Sequence, residues 1–267
     1  MALQVINMQV SETTQAALAV FLSVSFSSWA MGESPEQDIQ DMSDPLAVYT
    51  QLGVGYSDKG MNIKIGQMYD TGSESTMGMN VIELKGLAGD LIGWNGGGDK
   101  RQQSTRNNQP DAFRFRNFSA DMTRGRGTQL DLSYDLRSEM GSASYSFIQA
   151  LPKMGAVTLY PLAGMGVAFG NNVQDEQSGY TLPGVFAIAG MYGKLDITDR
   201  IWLNYNPMVV KPLSGADFYM NAGSETLHEA AVSYQLLPRL NLRYFANWSN
   251  KTAFQDGDHR IEVNYQI

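Results

Sequence analysis

The chain has 267 residues, with 27 glycines, 10% aromatic residues, 17% charged residues and no cysteine. Few charges together with much glycine and many aromatics favour an all-β membrane or surface protein over an α/β enzyme. The lack of cysteine excludes disulfides, thiolate metal sites and thiol nucleophiles. The net charge of −8 argues against nucleic acid as a partner, because phosphate binding needs clustered Lys and Arg.

The N-terminal part of the sequence contains its one long apolar run, at residues 16–27. About a dozen residues are too few for a membrane-spanning helix, which needs roughly 20, but they suit the core of a signal peptide. Ser28 and Ala30 place small residues where a signal peptidase needs them. We therefore predict a signal peptide at 1–30, although no Lys or Arg precedes the apolar run. An apolar helix inside a soluble fold is the alternative.

Residues 31–45 are polar and acidic, with Ser34-Pro35 resembling a helix start and Asp44-Pro45 a helix stop. We predict an acidic periplasmic N-terminal segment at 31–45, which is either a short helix or a disordered tether. The remaining chain has no helical periodicity and no repeat, only short alternating segments separated by Gly, Asn, Asp, Ser and Pro. Residues 46–267 are therefore predicted to form one all-β domain.

Twelve candidate strands follow one another in this domain. Their lengths lie at or just above the roughly 9–11 residues that a tilted strand needs to cross a bilayer. An even number of strands returns the chain to the side of the membrane where it began. The candidates are residues 46–57, 60–70, 77–88, 112–122, 127–137, 140–151, 155–169, 183–197, 200–212, 226–236, 239–249 and 258–267.

The connections alternate between short and long, as in outer-membrane barrels with short periplasmic turns and longer external loops. The short ones are 123–126, 152–154, 198–199 and 237–238, and the long ones are 89–111, 170–182, 213–225 and 250–257. Three connections depart from the pattern: 58–59 and 138–139 are short for external loops, and 71–76 is long for a periplasmic turn.

The two faces of the candidate strands differ in polarity. Leu130, Leu132 and Tyr134 alternate with Gln129, Asp131 and Ser133, and the strands at 200–212 and 239–249 alternate in the same way. Such strands have an apolar solvent on one side and a polar one on the other. Residues 183–192 differ, because both of their faces are apolar or small, which indicates a locally filled lumen or an apolar strip facing the solute.

The last strand alternates to the end of the chain, with Ile261, Val263, Tyr265 and Ile267 on one face and polar residues on the other. This pattern, with Tyr265 third from the end, resembles the closing strand of Gram-negative outer-membrane β-barrel proteins, although most of those end in Phe or Trp. The resemblance implies an outer-membrane location, contact with outer-membrane lipid, and recognition by the barrel-assembly machinery through this strand.

The sequence contains no complete catalytic or cofactor motif. The two histidines, His228 and His259, share the outward parity of their strands, as in barrel-borne lipid hydrolases, but no Ser lies at a motif-like spacing from either. Residues 93–100 are rich in glycine but lack the Lys-Ser/Thr pair of a phosphate loop, and residues 256–258 lack the further carboxylates of a Ca²⁺ loop. We predict no metal and no cofactor.

Inward-facing charges are the strongest functional signal. The candidate lumen-lining, solute-facing residues are Arg114, Arg116, Arg239, Arg243, Arg260, Glu262 and Asp135. Basic residues concentrated in a lumen favour anions. The competing interpretation is cross-strand neutralisation, with Arg116 opposite Asp135 and Glu262 opposite Arg243.

Together these observations predict a single antiparallel up-and-down transmembrane β-barrel of about 12 strands, with a soluble secreted β-sandwich as the competing fold. The leading functional hypothesis is a narrow porin-like channel for small hydrophilic solutes, anions among them. A structural or surface-interaction barrel that binds a partner through loops 89–111 and 213–225 is the first alternative. The second is an outer-leaflet lipid-modifying hydrolase that uses His228 or His259.

Overall fold

The computed structural model describes residues 39–92, 109–173 and 178–267. The predicted signal peptide, residues 31–38 of the predicted acidic segment and the glycine-rich stretch 93–100 lie outside these ranges. None of the helices within the ranges is long or apolar enough to span a membrane.

The strands are β1 (Gln51–Ser57), β2 (Gly60–Ser73), β3 (Thr76–Leu87), β4 (Ala112–Asp121), β5 (Arg126–Asp135), β6 (Met140–Gln149), β7 (Val157–Asn171), β8 (Tyr180–Asp196), β9 (Ile201–Tyr205), β10 (Met208–Gly215), β11 (Glu225–Leu237), β12 (Leu240–Ser249) and β13 (Asp258–Gln266). Two short helices, α1 (Gly89–Ile92) and α2 (Asp217–Asn221), and a 3₁₀ turn at Phe254–Asp256 lie in the connections.

The sheet closes on itself. Each strand pairs antiparallel with its neighbours, and β1 pairs with β13 from Gln51 opposite Gln266 to Ser57 opposite Arg260. The segments β9 and β10 are two parts of one transmembrane strand, because both pair with β8 on one side and with β11 on the other. The break falls at Pro207, which has no backbone N–H to donate to the ladder. The predicted closed barrel of 12 strands is confirmed.

Several strand boundaries differ from the predicted ones, and two of these differences change a connection. The first strand begins at Gln51 rather than at residue 46, because β13 pairs no further than the hydrogen bond from Ile267 N to Thr50 O at 2.9 Å. Residues 46–49 would have no partner on that side of the wall. The predicted long turn 71–76 is a two-residue turn, since β2 and β3 remain paired up to Ser73 and Thr76. The polar composition of 71–73 suggests a loop, whereas the strand passes this stretch with a β-bulge between Asp70 and Ser73 and pairs again at Ser73.

The outer and inner surfaces are inverted relative to those of a soluble protein. In β13 the polar side chains Arg260, Glu262, Asn264 and Gln266 are buried and the apolar ones are exposed. The same inversion occurs in β1, where Leu52, Val54 and Tyr56 point outward. An apolar outer surface on a closed sheet suits a hydrocarbon solvent, because closure pairs the strand edges that lipid could not hydrogen-bond. The predicted parity of the closing strand is confirmed.

The apolar belt can be tested by placing a charge in it. Leu130 lies in the middle of β5 and faces outward, whereas the outward-exposed Ile197 lies in the turn after β8. We expect L130R to lower the free energy of unfolding in lipid by about 2–4 kcal/mol and I197R by at most about 1 kcal/mol, because the cost of a cation depends on its depth in the bilayer. Urea titration of the refolded barrels, followed by heat-modifiable gel migration, measures both. Equal effects of the two substitutions would contradict the membrane position of the belt.

Candidate functional site in the lumen

One end of the lumen is filled by the chain segment that precedes β1. The longest connections lie at the opposite end, and we assign this end to the periplasmic side because outer-membrane barrels have longer loops on the external side. Leu46 and Val48 are buried there against apolar side chains of the wall. The wall residues, called the apolar strip from here on, are Met79, Val81, Ala120, Ile148, Tyr160 and Leu162. Residues 41–49, which we call the plug, thus occupy the periplasmic part of the lumen.

The plug has its own folded shape. The Asp41 carboxylate accepts hydrogen bonds from the backbone N–H of Ser43 at 2.9 Å and from its hydroxyl at 2.5 Å. One turn later the Asp44 carboxylate accepts from Leu46 N at 2.8 Å, and the Asp44 carbonyl accepts from Ala47 N at 3.0 Å. Turns of this kind form when an aspartate side chain accepts a hydrogen bond from the backbone N–H two residues further along the chain. The predicted helix stop at Asp44-Pro45 is such a turn.

Side chains connect the plug to the wall. The Lys194 ammonium at the periplasmic end of β8 lies 3.0 Å from Asp41 Oδ2 and 3.2 Å from Asp196 Oδ1. The Met42 sulfur accepts from the amides of Gln235 and Asn241 at 3.6 Å. The contacts of Leu46 and Val48 with the apolar strip, the Asp41–Lys194 ion pair and the Met42 bonds hold the plug in the lumen, although the plug does not pair with any of the strands β1 to β13.

Above the plug, charged side chains of several strands cross the lumen, and we call them the charged belt. Arg114 contacts Asp131 with two parallel bonds, Nε–Oδ1 at 2.9 Å and Nη2–Oδ2 at 2.5 Å. Arg116 is paired with Glu83. The basic members are Lys64, Lys85, Arg114, Arg116, Arg243 and Arg260, and the acidic members are Glu83, Asp131, Glu229, Asp258 and Glu262.

Glu262 on the closing strand joins two cations of this belt. Lys64 Nζ lies 2.5 Å from Glu262 Oε1, and Arg260 Nε lies 3.4 Å from Glu262 Oε2. Arg260 also reaches Asp258 at 3.5 Å. Lys64, Arg260, Asp258 and Glu262 all face the lumen. Much of the basic charge near the β1–β13 pairing is therefore balanced by neighbouring carboxylates, as the neutralisation hypothesis expects.

Arg243 differs from the other arginines of the belt. Its guanidinium donates to Ser233 Oγ and Asn204 Oδ1, both at 2.9 Å, and it lies 4.8 Å from the ring centre of Phe245. Glu262 is its register partner across the strands, as predicted. Among the described residues, however, no carboxylate lies within ion-pair distance of Arg243. The hydrogen-bond acceptors of this guanidinium are therefore neutral.

Two of the predicted lumen residues lie elsewhere. Arg239 belongs to the periplasmic turn between β11 and β12, and Asp135 lies at the external end of β5, where its carboxylate accepts from Arg137 N and Ser138 N. The register of β4 and β5 also differs from the predicted one. Arg116 is opposite Asp131, because pairing continues to Asp121 and Arg126 and leaves a turn at 122–125.

A cavity of about 160 Å³ lies between the plug and the charged belt. Its lining includes Tyr49, Gln51, Arg116, Tyr192, Asn206 and Arg243. This volume has room for several water molecules and a wall able to hydrogen-bond them. Phe186, Ile188 and Tyr192 of β8 turn toward the lumen, and the latter two pack against the apolar strip. The doubly apolar stretch 183–192 thus helps to fill the lumen, one of its two predicted roles.

The histidines lie on the outer surface near the external rim. Tyr205 Oη is 2.8 Å from His228 Nδ1, and Tyr244 Oη is 2.8 Å from His259 Nδ1. The His228 ring also stacks on Trp248 at 5.1 Å between ring centres. No serine hydroxyl in the described part of the chain is bonded to either imidazole. Within the same part, no three His, Asp or Glu side chains form a potential metal site.

The sequence prediction omitted the two groups that organise the lumen. Lys64 and Glu83 alternate with apolar residues along β2 and β3, so the same parity argument that selected the arginines could have found them. The plug gave no comparable signal, because its Leu-Ala-Val-Tyr run continues the alternation of the following strand. Lys194 likewise stands out only once the plug is seen beside it.

The chain was compared with known proteins. No family model and no curated protein matches it. Among solved structures, the NanC porin superposes with a TM-score of 0.51 at 7% identity, over 82% of this chain and 100% of that one. The KdgM porin gives 0.46 at 7% identity, over 82% and 99%. The translocator domain of the autotransporter NalP from Neisseria meningitidis gives 0.46 at 10% identity, over 96% and 98%.

These likenesses concern the fold alone. The chain has the closed architecture of Gram-negative outer-membrane β-barrels, and the predicted resemblance to that general class is confirmed. Its apolar outer belt is the surface that a membrane-embedded barrel presents to lipid, as the outer-membrane location implied by the closing strand requires.

The charged belt gives a stability prediction. We expect E83Q to lower the free energy of unfolding by about 1–3 kcal/mol, because it leaves Arg116 and Lys85 without their carboxylate in a buried setting. D135N is the matched control, since an exposed amide at the external turn can still accept the same backbone bonds. Urea titration of both variants is the measurement. A loss in D135N equal to that in E83Q would contradict the role of the belt.

The tie between plug and wall gives a pH prediction. Burial acts to raise the pKa of the Asp41 carboxyl, but hydrogen bonds from Ser43 and the Lys194 ammonium outweigh it, and the pKa lies below its usual 3.8. The ionised tie is therefore fully present above that usual value and is lost as the pH falls through the lowered pKa.

Thiol labelling can follow this loss, because the chain has no native cysteine. Ala47 is buried in the plug and Ile39 is exposed just before it, so A47C and I39C form a matched pair. With dithiodipyridine, which reacts at acidic and neutral pH, we expect the ratio of A47C to I39C labelling rates to be flat from about pH 8 to about pH 5 and to rise below about pH 4. A ratio that instead rises toward alkaline pH would contradict the assignment.

Proposed function

We propose that the protein is a narrow outer-membrane channel for small hydrophilic solutes, with a preference for anions, and that the plug closes it in this structure. The observation that carries the proposal is the charged belt around a polar cavity in the middle of the lumen. Buried charges are expensive to desolvate, and a barrel that served only as a support could fill its lumen with apolar side chains. Charges that cross a wetted constriction are typical of selectivity in pores.

The size of the barrel supports a narrow passage. Eight-stranded barrels have just enough interior for side chains, and barrels of 16 or more strands leave a wide aqueous channel. With 12 strand positions this barrel lies between the two. Side chains of the belt, rather than the backbone, therefore determine what passes.

The preference for anions rests on Arg243. Its guanidinium faces the cavity and is held by neutral oxygens, so its charge is available to a passing solute. Most other cations of the belt are already paired with carboxylates. The NanC porin has the same barrel architecture, which is consistent with a channel.

Planar-bilayer recording tests the proposal. We expect discrete conductance events whose reversal potential in a KCl gradient favours chloride, and we expect R243E to shift that potential toward potassium selectivity. R239E is the matched charge reversal, because Arg239 lies in the turn between β11 and β12, outside the belt. A chain lacking residues 41–49 extends the test to an unplugged lumen. Absence of conductance in both the intact and the unplugged barrel would refute the channel.

A structural or surface-interaction barrel is the second candidate. It is favoured by the plug and the paired charges, which together leave little open lumen, and by the exposed Phe218 and Met220 of α2 in an external loop. Replacement of residues 217–221 by a Gly-Ser linker should abolish binding to an external partner without loss of the folded gel band. Unchanged partner binding by that variant would count against this second candidate.

A further inference from the structure

The apolar strip is unusual for the wall of a water-filled lumen. Val81 is 1% exposed and Ala120 is 2% exposed, and both belong to one buried cluster with Leu46 and Val48 of the plug. Without the plug, six neighbouring apolar or aromatic side chains would face water inside the barrel. A contiguous apolar patch of this kind, with polar groups at its edge, is typical of a binding surface.

The plug has the properties of a ligand for this surface. The backbone N–H groups of Ser43, Asp44, Leu46 and Ala47 bond to acceptors within the plug itself. Its contacts with the wall are made by side chains: Leu46 and Val48 on the apolar strip, and Asp41 on Lys194. Nothing in this set of contacts requires the plug to be covalently continuous with β1.

Charge distinguishes the two ends of the binding surface. Lys194 at the mouth is largely buried and lies between Asp41 and Asp196, so a ligand that supplies a carboxylate there completes an ion-pair cluster. Deeper in the lumen the surface is apolar. The surface therefore fits an acidic peptide that has apolar side chains at alternate positions and enters the lumen from the periplasmic side.

We propose that the apolar strip and Lys194 form a peptide-binding site, and that residues 41–49 are its resident, exchangeable occupant. A peptide of this composition supplied in trans takes the same site once the plug is absent. This proposal goes beyond the channel hypothesis and holds whether or not the barrel conducts.

The test uses the full chain with residues 41–49 deleted and a fluorescent peptide with the sequence of residues 39–50. We expect saturable binding by fluorescence anisotropy, at least about tenfold tighter than that of the peptide carrying L46S and V48S, because burial of these two side chains drives the contact. The I39D peptide is the matched control and should bind as tightly as the unchanged one, since Ile39 is 51% exposed. The intact barrel, whose site is filled, should bind at least about tenfold more weakly than the deleted one.

Folding of the deleted chain is checked first by heat-modifiable gel migration. If it does not yield the folded band, the full-length L46S/V48S barrel replaces it, because its weakened plug should let the peptide compete. No saturable binding to a folded, unplugged barrel would overturn the proposal. Equal binding by the intact and unplugged barrels, or equal binding of the unchanged and L46S/V48S peptides, would also overturn it.

Discussion

The pairing of β1 with β13 is the constraint on which the rest of the structure depends. Seven residue pairs from Gln51 opposite Gln266 to Ser57 opposite Arg260 join the two ends of the sheet. In hydrocarbon an unpaired strand edge costs several kcal/mol for each exposed backbone group, so an open sheet has no stable place in a bilayer. Closure also determines which side chains meet in the lumen. It brings Lys64, two strands from the seam, against Glu262 on the last strand.

The same closure explains where the plug ends and the wall begins. The wall needs partners on both sides, and the partner on the β13 side ends with the bond from Ile267 N to Thr50 O. The chain before Thr50 must leave the wall, and the lumen offers it an apolar strip and a lysine. Alternating Leu46 and Val48, which would be lipid-facing or lumen-facing in a strand, become instead the apolar face of a compact inserted segment.

Much of the fold could be predicted from the sequence, because strand parity in a barrel is local information. The alternation of Ile261, Val263 and Tyr265 with polar neighbours identified the lipid face without knowledge of any contact. The register between strands is not local. Arg116 is predicted opposite Asp135 and lies opposite Asp131, because parity determines the face of a residue but not its partner on the next strand. The turn itself lies at 122–125, where the Asp121 carboxylate accepts from the backbone N–H groups of Thr123 and Arg124. The plug could not be predicted, since its residues alternate like those of a strand. What keeps them out of the wall is that the pairing with β13, which is distant in the sequence, extends only to Thr50.

Thr50, the residue between plug and wall, is clamped on both sides: its carbonyl accepts from Ile267 N at 2.9 Å and its hydroxyl accepts from Met68 N at 3.3 Å. A plug that leaves the lumen therefore remains tethered at this point. Its nine residues reach at most about 30 Å when extended, which keeps them at an effective concentration in the millimolar range around the mouth. Re-entry is then fast and nearly independent of protein concentration, so an emptied lumen persists only while another molecule occupies the site or retains the tether on the periplasmic side.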